Sequence, residues 1–162
     1  MRVNKGFTLV ELLVVIAIIG VLSTLVMANF IGIRQRARDA QRKADLRQIQ
    51  SALEIYRADI GSYKTTAVGT YYLNTSVCPG SSSFVSGNNT YMQSVPCDPS
   101  GSGVYNGGNY YYYSNNGTTY TLAACIENTG DSDSHVSQTA PNPAPPSNST
   151  CSSGYYYILQ NP

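Results

Sequence analysis

Residues 7–30 read FTLVELLVVIAIIGVLSTLVMANF, twenty-four positions with a single ionisable side chain, Glu11. Coiled as an α-helix at 1.5 Å per residue, a run of this length crosses a hydrocarbon core about 30 Å thick. The first expectation is therefore a membrane-spanning helix over residues 7–30. Glu11 is anomalous in it. A carboxylate costs about 2.5–3.5 kcal/mol at the centre of a span and less near the interface, so its presence calls for a partner. Ahead of the run stands a short hydrophilic leader, MRVNKG, which carries Arg2 and Lys5 and ends in glycine. An ordinary secretory signal places its small-residue cleavage site after the apolar region, whereas here the small residue precedes it.

The string Lys5-Gly6-Phe7-Thr8-Leu9-Val10-Glu11-Leu12 closely resembles the cleavage and N-methylation site of type IV prepilins and of the pseudopilins of type II secretion. The resemblance implies scission between Gly6 and Phe7 by a prepilin peptidase, with methylation of the new terminal amine on Phe7. It also implies a role for Glu11. When such subunits leave lipid and pack into a filament, the glutamate accepts the terminal amine of a neighbour, and pairing offsets the desolvation of a lone carboxylate. One departure from the family pattern is that residues 27–29 are Met-Ala-Asn where many relatives carry a proline. Proline kinks a helix, so any bend here is expected at Gly20 or around Ser23 and Thr24.

Residues 31–60 contain no proline and are rich in helix formers. Leu46, Ile49, Leu53, Tyr56 and Ile60 recur at intervals of three and four, which places them on one helix face. Ala37, Ala40 and Ala44 are expected to prolong that stripe with small side chains. The span thus continues into an amphipathic helix ending near Ile60, with Gly61 placed as its C-terminal cap.

Charge is distributed unevenly. Residues 34–64 hold eight basic and four acidic side chains, while from Thr65 onward the chain holds four acids, Asp98, Glu127, Asp131 and Asp133, and no base. A mildly acidic, charge-poor head excludes a nucleic-acid surface there, since phosphate binding needs Lys and Arg. On the helix, Arg34, Arg38 and Arg42 repel one another at i,i+4. Relief is expected from an outside anion, either phospholipid headgroups or the acids of an adjacent subunit's head, with a solvated basic face as the bland alternative. Arg2 and Lys5 against at least six bases near the other end, beyond Phe30, would, by the positive-inside rule, leave the head in the cytoplasm. The leader motif and the head cysteines point outward and are the more specific signals.

Beyond Tyr63 the chain is dominated by Tyr, Ser, Thr, Asn and Gly. Strand-like runs occur at residues 70–73, 110–114, 118–125 and 154–159. The second and third, joined through Asn115-Asn116-Gly117, read as a hairpin. The helix stripe then supplies the apolar surface on which a small sheet buries one face. Residues 137–150, SQTAPNPAPPSNST, have four prolines and no large apolar side chain, and so read as a loop.

All four cysteines, Cys78, Cys97, Cys125 and Cys151, lie in this head, without CxxC or His at metal spacing. An even count in a translocated segment suggests two disulfides. Of three possible pairings, Cys78 with Cys97 and Cys125 with Cys151 closes the shortest loops. The second pair would bracket the proline-rich loop, as the C-terminal disulfide-bounded loop of many type IV pilins does. His135 has no companion for a relay or a metal and reads as a solvated loop residue. Glu127, Asp131 and Asp133, with Asn128, offer oxygen ligands, and some pseudopilins bind calcium in a late loop; the spacing does not match an EF-hand. No other cofactor is expected. No GxSxG, HExxH or phosphate-binding glycine loop occurs, so the chain does not read as an enzyme.

The expected protein is α+β: a leader over residues 1–6, a membrane and filament-core helix over 7–30, its amphipathic continuation over 31–61, and a small β-rich head over 62–162. The resemblance implies a structural subunit of a type IV pilus-like filament, with a type II secretion pseudopilin as the alternative and a monomeric membrane-tethered binding module as a third reading. Implied partners are further copies of the chain, other pilins or pseudopilins, the prepilin peptidase, and membrane lipid before assembly. The implied location is the cytoplasmic membrane, crossed once, with the N-terminus inside and the head outside, and then a periplasmic or cell-surface filament.

Overall fold

The absence of proline and the run of good helix formers have the expected consequence: α1 extends without interruption over Leu9–Ile60. A computed structural model of the chain describes residues 6–64, 83–99, 112–141, 151 and 153–161. It divides into two units, residues 1–35 and 36–162, and α1 contributes to both.

In the first unit the apolar side chains from Phe7 to Ile33 that are described are all exposed. Ser23 and Thr24 donate their hydroxyls to the carbonyls of Ile19 and Val21, both at 2.7 Å, so their polarity is absorbed within the helix. Taken over the described side chains, no helix is long and apolar enough to cross a membrane. The sequence carries the apolar run on to Phe30, and the expectation of a span rests on that longer run.

In the second unit Leu46, Ile49, Leu53 and Tyr56 are buried as their spacing requires, joined by Ala52. The stripe departs from expectation at both ends. Ile60 is exposed, and so are Ala37, Ala40 and Ala44. The positions that continue the buried face toward the N-terminus are Asp45, Arg42 and Asp39, so the helix exchanges apolar for ionic contacts midway along one face. Gly61 closes the helix at φ +85°, donating to the Arg57 carbonyl at 2.8 Å.

Among the described residues six short strands follow: β1 (Phe84–Ser86), β2 (Asn89–Met92), β3 (Tyr112–Asn115), β4 (Tyr120–Cys125), β5 (Val136–Ser137) and β6 (Tyr156–Gln160). β1 and β2 form a two-stranded hairpin; the other four make an antiparallel sheet in the order β3-β4-β6-β5. The expected hairpin is β3–β4, with Asn115 opposite Tyr120. β6 is the strand expected from the last apolar run. The β1–β2 hairpin and β5 were not expected. The run at residues 70–73, Cys78 and most of the proline-rich loop lie outside the described residues.

β4 is the centre of the sheet, and all six of its residues are buried. Alternation divides them. Tyr120, Leu122 and Ala124 join Leu46, Ile49, Leu53, Tyr157 and Leu159 in the main core under α1, whereas Ala123 and Cys125 form a second cluster with Cys151 and Tyr156 on the opposite face. Phe84 of β1 extends the main core, its ring 5.2 Å from Tyr56 and 5.4 Å from Tyr91. The segment after α1 is tied to the sheet by three bonds: Tyr63 N–H to the Gly117 carbonyl at 2.9 Å, and Tyr113 hydroxyl and Asn115 Nδ2 to the Lys64 carbonyl at 2.9 and 2.8 Å. Glu54 accepts from the hydroxyls of Tyr63 and Tyr120 at 2.9 and 3.1 Å, so this half-buried carboxylate is hydrogen-bonded.

Candidate assembly segment and head ion network

Two regions bear on function, and each unit holds one. In the first, α1 opens with a capping box. Thr8, just ahead of the helix, donates both its backbone N–H and its hydroxyl to Glu11 Oε2 at 2.8 Å, while Glu11 N–H returns a bond to Thr8 Oγ1 at 3.3 Å. A carboxylate in the first turn also interacts favourably with the helix dipole. Within a single chain Glu11 is therefore partly satisfied by its own helix start, a role whose signal in the sequence is the Thr-x-x-Glu spacing. Gly6 and Phe7, the expected cleavage pair, are exposed; Lys5 lies outside the described residues. Ile19, Leu22, Ser23 and Met27 line an open apolar hollow on the helix surface.

In the second unit the basic face of α1 meets the acids of the chain's own head. Arg42 is buried and donates through Nε to Asp98 Oδ2 at 2.8 Å, through Nη2 to Asp98 Oδ1 at 3.0 Å, and through Nη1 to Asp39 Oδ1 at 2.7 Å. Its Nη1 also lies 2.8 Å from Glu127 Oε1. Arg38 forks onto both oxygens of Glu127, with Nε to Oε1 at 2.7 Å. Asp39 in turn accepts the backbone N–H groups of Glu127 and Asn128 at 3.0 and 2.8 Å, docking the loop after β4 onto the helix. Lys43 reaches Asp131 at 2.7 Å and Asp133 at 3.1 Å, and Arg47 donates to the Tyr157 hydroxyl at 3.3 Å.

The electrostatics follow from these contacts. Burial disfavours the charged form of Arg42, but the Asp98 carboxylate, with Glu127 and Asp39, outweighs it and holds the guanidinium charged. Arg38, followed by Arg42, keeps the Glu127 carboxyl below its ordinary range, and Lys43 does the same for Asp131. Asp133 is pushed down to about 2, first by the backbone N–H of His135 and then by its side chain and Lys43.

These contacts correct one expectation. The anions that relieve Arg38 and Arg42 need not come from lipid or from another subunit, because Asp98 and Glu127 of the same chain bind them, as Asp131 and Asp133 bind Lys43. Opposite charges separated by 56 to 90 positions show no short-range signal by which the pairing could have been read. Glu127, Asp131 and Asp133 are accordingly engaged by cations of the protein, and among the described residues no group of His, Cys, Asp and Glu side chains is arranged to hold a metal ion. His135 is half exposed in the turn before β5, its Nδ1 3.1 Å from Asp133 Oδ1.

Cys125 and Cys151 are bonded, with Cα atoms 5.6 Å apart, and the bridge sits in the second cluster on the outer face of the sheet. Cys97 is also disulfide-bonded; Cys78, the expected partner, falls outside the described residues.

A long helix with an exposed apolar first third, laid in its second half on a small antiparallel sheet, is the α+β pilin-like layout. Family comparison agrees with it. Residues 1–27 match the prokaryotic N-terminal methylation motif and residues 29–135 match type II secretion system protein G. The chain belongs to the type II secretion system protein G family. It is 36% identical over 104 residues to the type II secretion system core protein G of Klebsiella pneumoniae, covering 63% of this chain and 73% of that one. It is 34% identical over 102 residues to the core protein G of Aeromonas hydrophila, covering 62% and 70%. It is also 37% identical over 84 residues to the type IV wide pilus major component PilA4 of Thermus thermophilus, covering 52% and 64%. No solved structure matches significantly. The family match reverses the order of the two sequence readings: the secretion pseudopilin takes precedence over the surface pilus subunit.

Proposed function

We propose that the chain is the protein G-type pseudopilin of a type II secretion system: a structural subunit that is inserted in the cytoplasmic membrane, cut between Gly6 and Phe7, methylated on Phe7 and polymerised through the apolar part of α1. The observation that carries the reading is the exposed apolar surface of the described side chains between Phe7 and Ile33, on a chain whose residues 29–135 match the protein G family. A monomer leaves this surface without a protein partner. Lipid covers it before assembly and sister helices afterwards, where packing rather than hydrophobic transfer is the driving force. The head is then external, consistent with its disulfides. No step of this function is chemical.

In this reading Glu11 exchanges its Thr8 contacts for the terminal amine of a neighbouring subunit. Glu11→Ala should insert and be cleaved with normal efficiency, as seen by mass spectrometry of the mature N-terminus, but yield few or no filaments by electron microscopy of sheared material. Wild-type filament yield from that variant would end the assembly role, and an unprocessed Met1 in the wild type would favour a tethered monomer. The Thermus relative, named as a pilus component, supports a second reading in which the same subunit builds a surface pilus. Loss of secreted enzymes without loss of surface fibres on gene deletion distinguishes the first reading from the second.

A further inference from the structure

Some pseudopilins hold calcium in a late loop of the head, and Glu127, Asp131 and Asp133 are the residues of this chain that offer themselves for such a site. Their geometry does not fit one. Lys43 Nζ lies 2.7 Å from Asp131 Oδ2 and 3.1 Å from Asp133 Oδ2, and 5.3 Å from the centre of the Tyr157 ring. The second oxygen of each carboxylate is already committed: Asp131 Oδ1 accepts the N–H of Asp133 at 3.0 Å, and Asp133 Oδ1 accepts that of His135 at 3.1 Å. Glu127 is held by Arg38 and Arg42. Calcium needs six to eight oxygens at 2.3–2.6 Å. Here it would have to expel an ammonium from between two carboxylates and detach a third from two guanidinium groups.

We propose that Lys43 is a built-in substitute for a divalent cation, its ammonium tying the loop at residues 127–135 to α1 so that this part of the head is ordered without calcium. Three features support the assignment. The lysine side chain is four-fifths buried with both carboxylates equally covered, so the charges meet away from bulk water. An ammonium offers three donors, enough to serve both acids. The Tyr157 ring adds a third, weaker attraction from below. The inference concerns the head alone and holds whichever filament the chain builds.

The test compares thermal unfolding of the full chain in detergent micelles in excess EGTA and in 1 mM calcium chloride, together with calorimetric titration of calcium. Wild type should show the same Tm in both and no binding below 1 mM. Lys43→Met, which keeps the aliphatic stem without the charge, should lower Tm in EGTA by about 5 °C or more, and Lys43→Arg should retain most of the stability. A calcium-dependent rise in the wild-type Tm, sub-millimolar calcium binding, or a Lys43→Met variant as stable as wild type would each overturn the proposal. Should Lys43→Met fail to fold, the wild-type calcium response and Lys43→Gln against Lys43→Arg carry the decision.

Discussion

Arg42 of α1 and Asp98, 56 positions further along the chain, face each other as a two-bond pair, Nε to Oδ2 at 2.8 Å and Nη2 to Oδ1 at 3.0 Å, with 2% and 4% of their surfaces exposed. A pair of this kind adds little net stability against an apolar replacement but cannot lose one member cheaply. It marks the place where the helix changes from an apolar to an ionic grip on the head.

Removing that arginine is therefore expected to be costly. Arg42→Ala leaves Asp98 and Asp39 as buried, under-compensated carboxylates and should destabilise the head by about 3–5 kcal/mol. Arg36→Ala, six residues back at an exposed position, should stay within about 0.5 kcal/mol. Denaturant unfolding of the two variants side by side checks the contrast, and equal effects would mean that the buried cluster is not what holds the loops.

The same network sets a pH dependence. Glu127, Asp131 and Asp133 all have carboxyls held below their ordinary range in the folded chain, Asp133 at about 2. As pH falls the unfolded chain takes up protons first, near pH 4, so stability is full above that value and drains away toward pH 2. Tm should be flat with respect to these groups from pH 7 to 5 and fall steadily below 4, with a smaller fall in Lys43→Met. A Tm that is constant from pH 5 down to 2.5 would contradict the assignment.

The Cys125–Cys151 bridge spans a sequence separation of 26, worth about 3.5 kcal/mol in the chain-entropy model. Replacing both cysteines by serine should cost about 2–5 kcal/mol while the far-ultraviolet circular dichroism stays close to wild type, because the ladder between β4 and β6 does not depend on the bridge. Loss of the sheet signal at 25 °C would show that it does.

Which face of α1 is core is tested by a pair of substitutions. Leu53→Ala, at a fully buried position, should cost about 2–5 kcal/mol. Ala40→Gln, at an exposed one, should change stability by no more than about 0.5 kcal/mol. Were Ala40 part of the core stripe, the added volume would be strongly destabilising.

At 3.6 residues per turn Ala37, Ala40 and Ala44 fall on the face opposite Leu46 and Leu53, while Asp39, Arg42 and Asp45 fall on the same one; what spacing cannot say is what the head brings to that face. The head brings acids, so the covered positions are Asp39 and Arg42. The β3–β4 hairpin was readable because Asn115-Asn116-Gly117 interrupts two strand-forming runs. The β1–β2 hairpin carried a comparable signal that was not read: its two-residue turn is Gly87-Asn88, with Gly87 at φ +57°. β5, two residues long, has no pattern of its own and exists because β6 offers it an edge.

Local chemistry, then, determined what depends on near neighbours in the chain: the uninterrupted helix, its cap at Gly61, the Thr8–Glu11 spacing, the processing motif and the family it resembles. Only tertiary structure decided where charge goes. Coulomb attraction between α1 and the acids of the head, Asp98 after β2 and those of the loop after β4, acts across 56 to 90 residues of chain, and its partners become neighbours only once the sheet has folded against Leu46, Ile49 and Leu53. A row of arginines that looks like an invitation to an outside anion is, for that reason, largely answered from within.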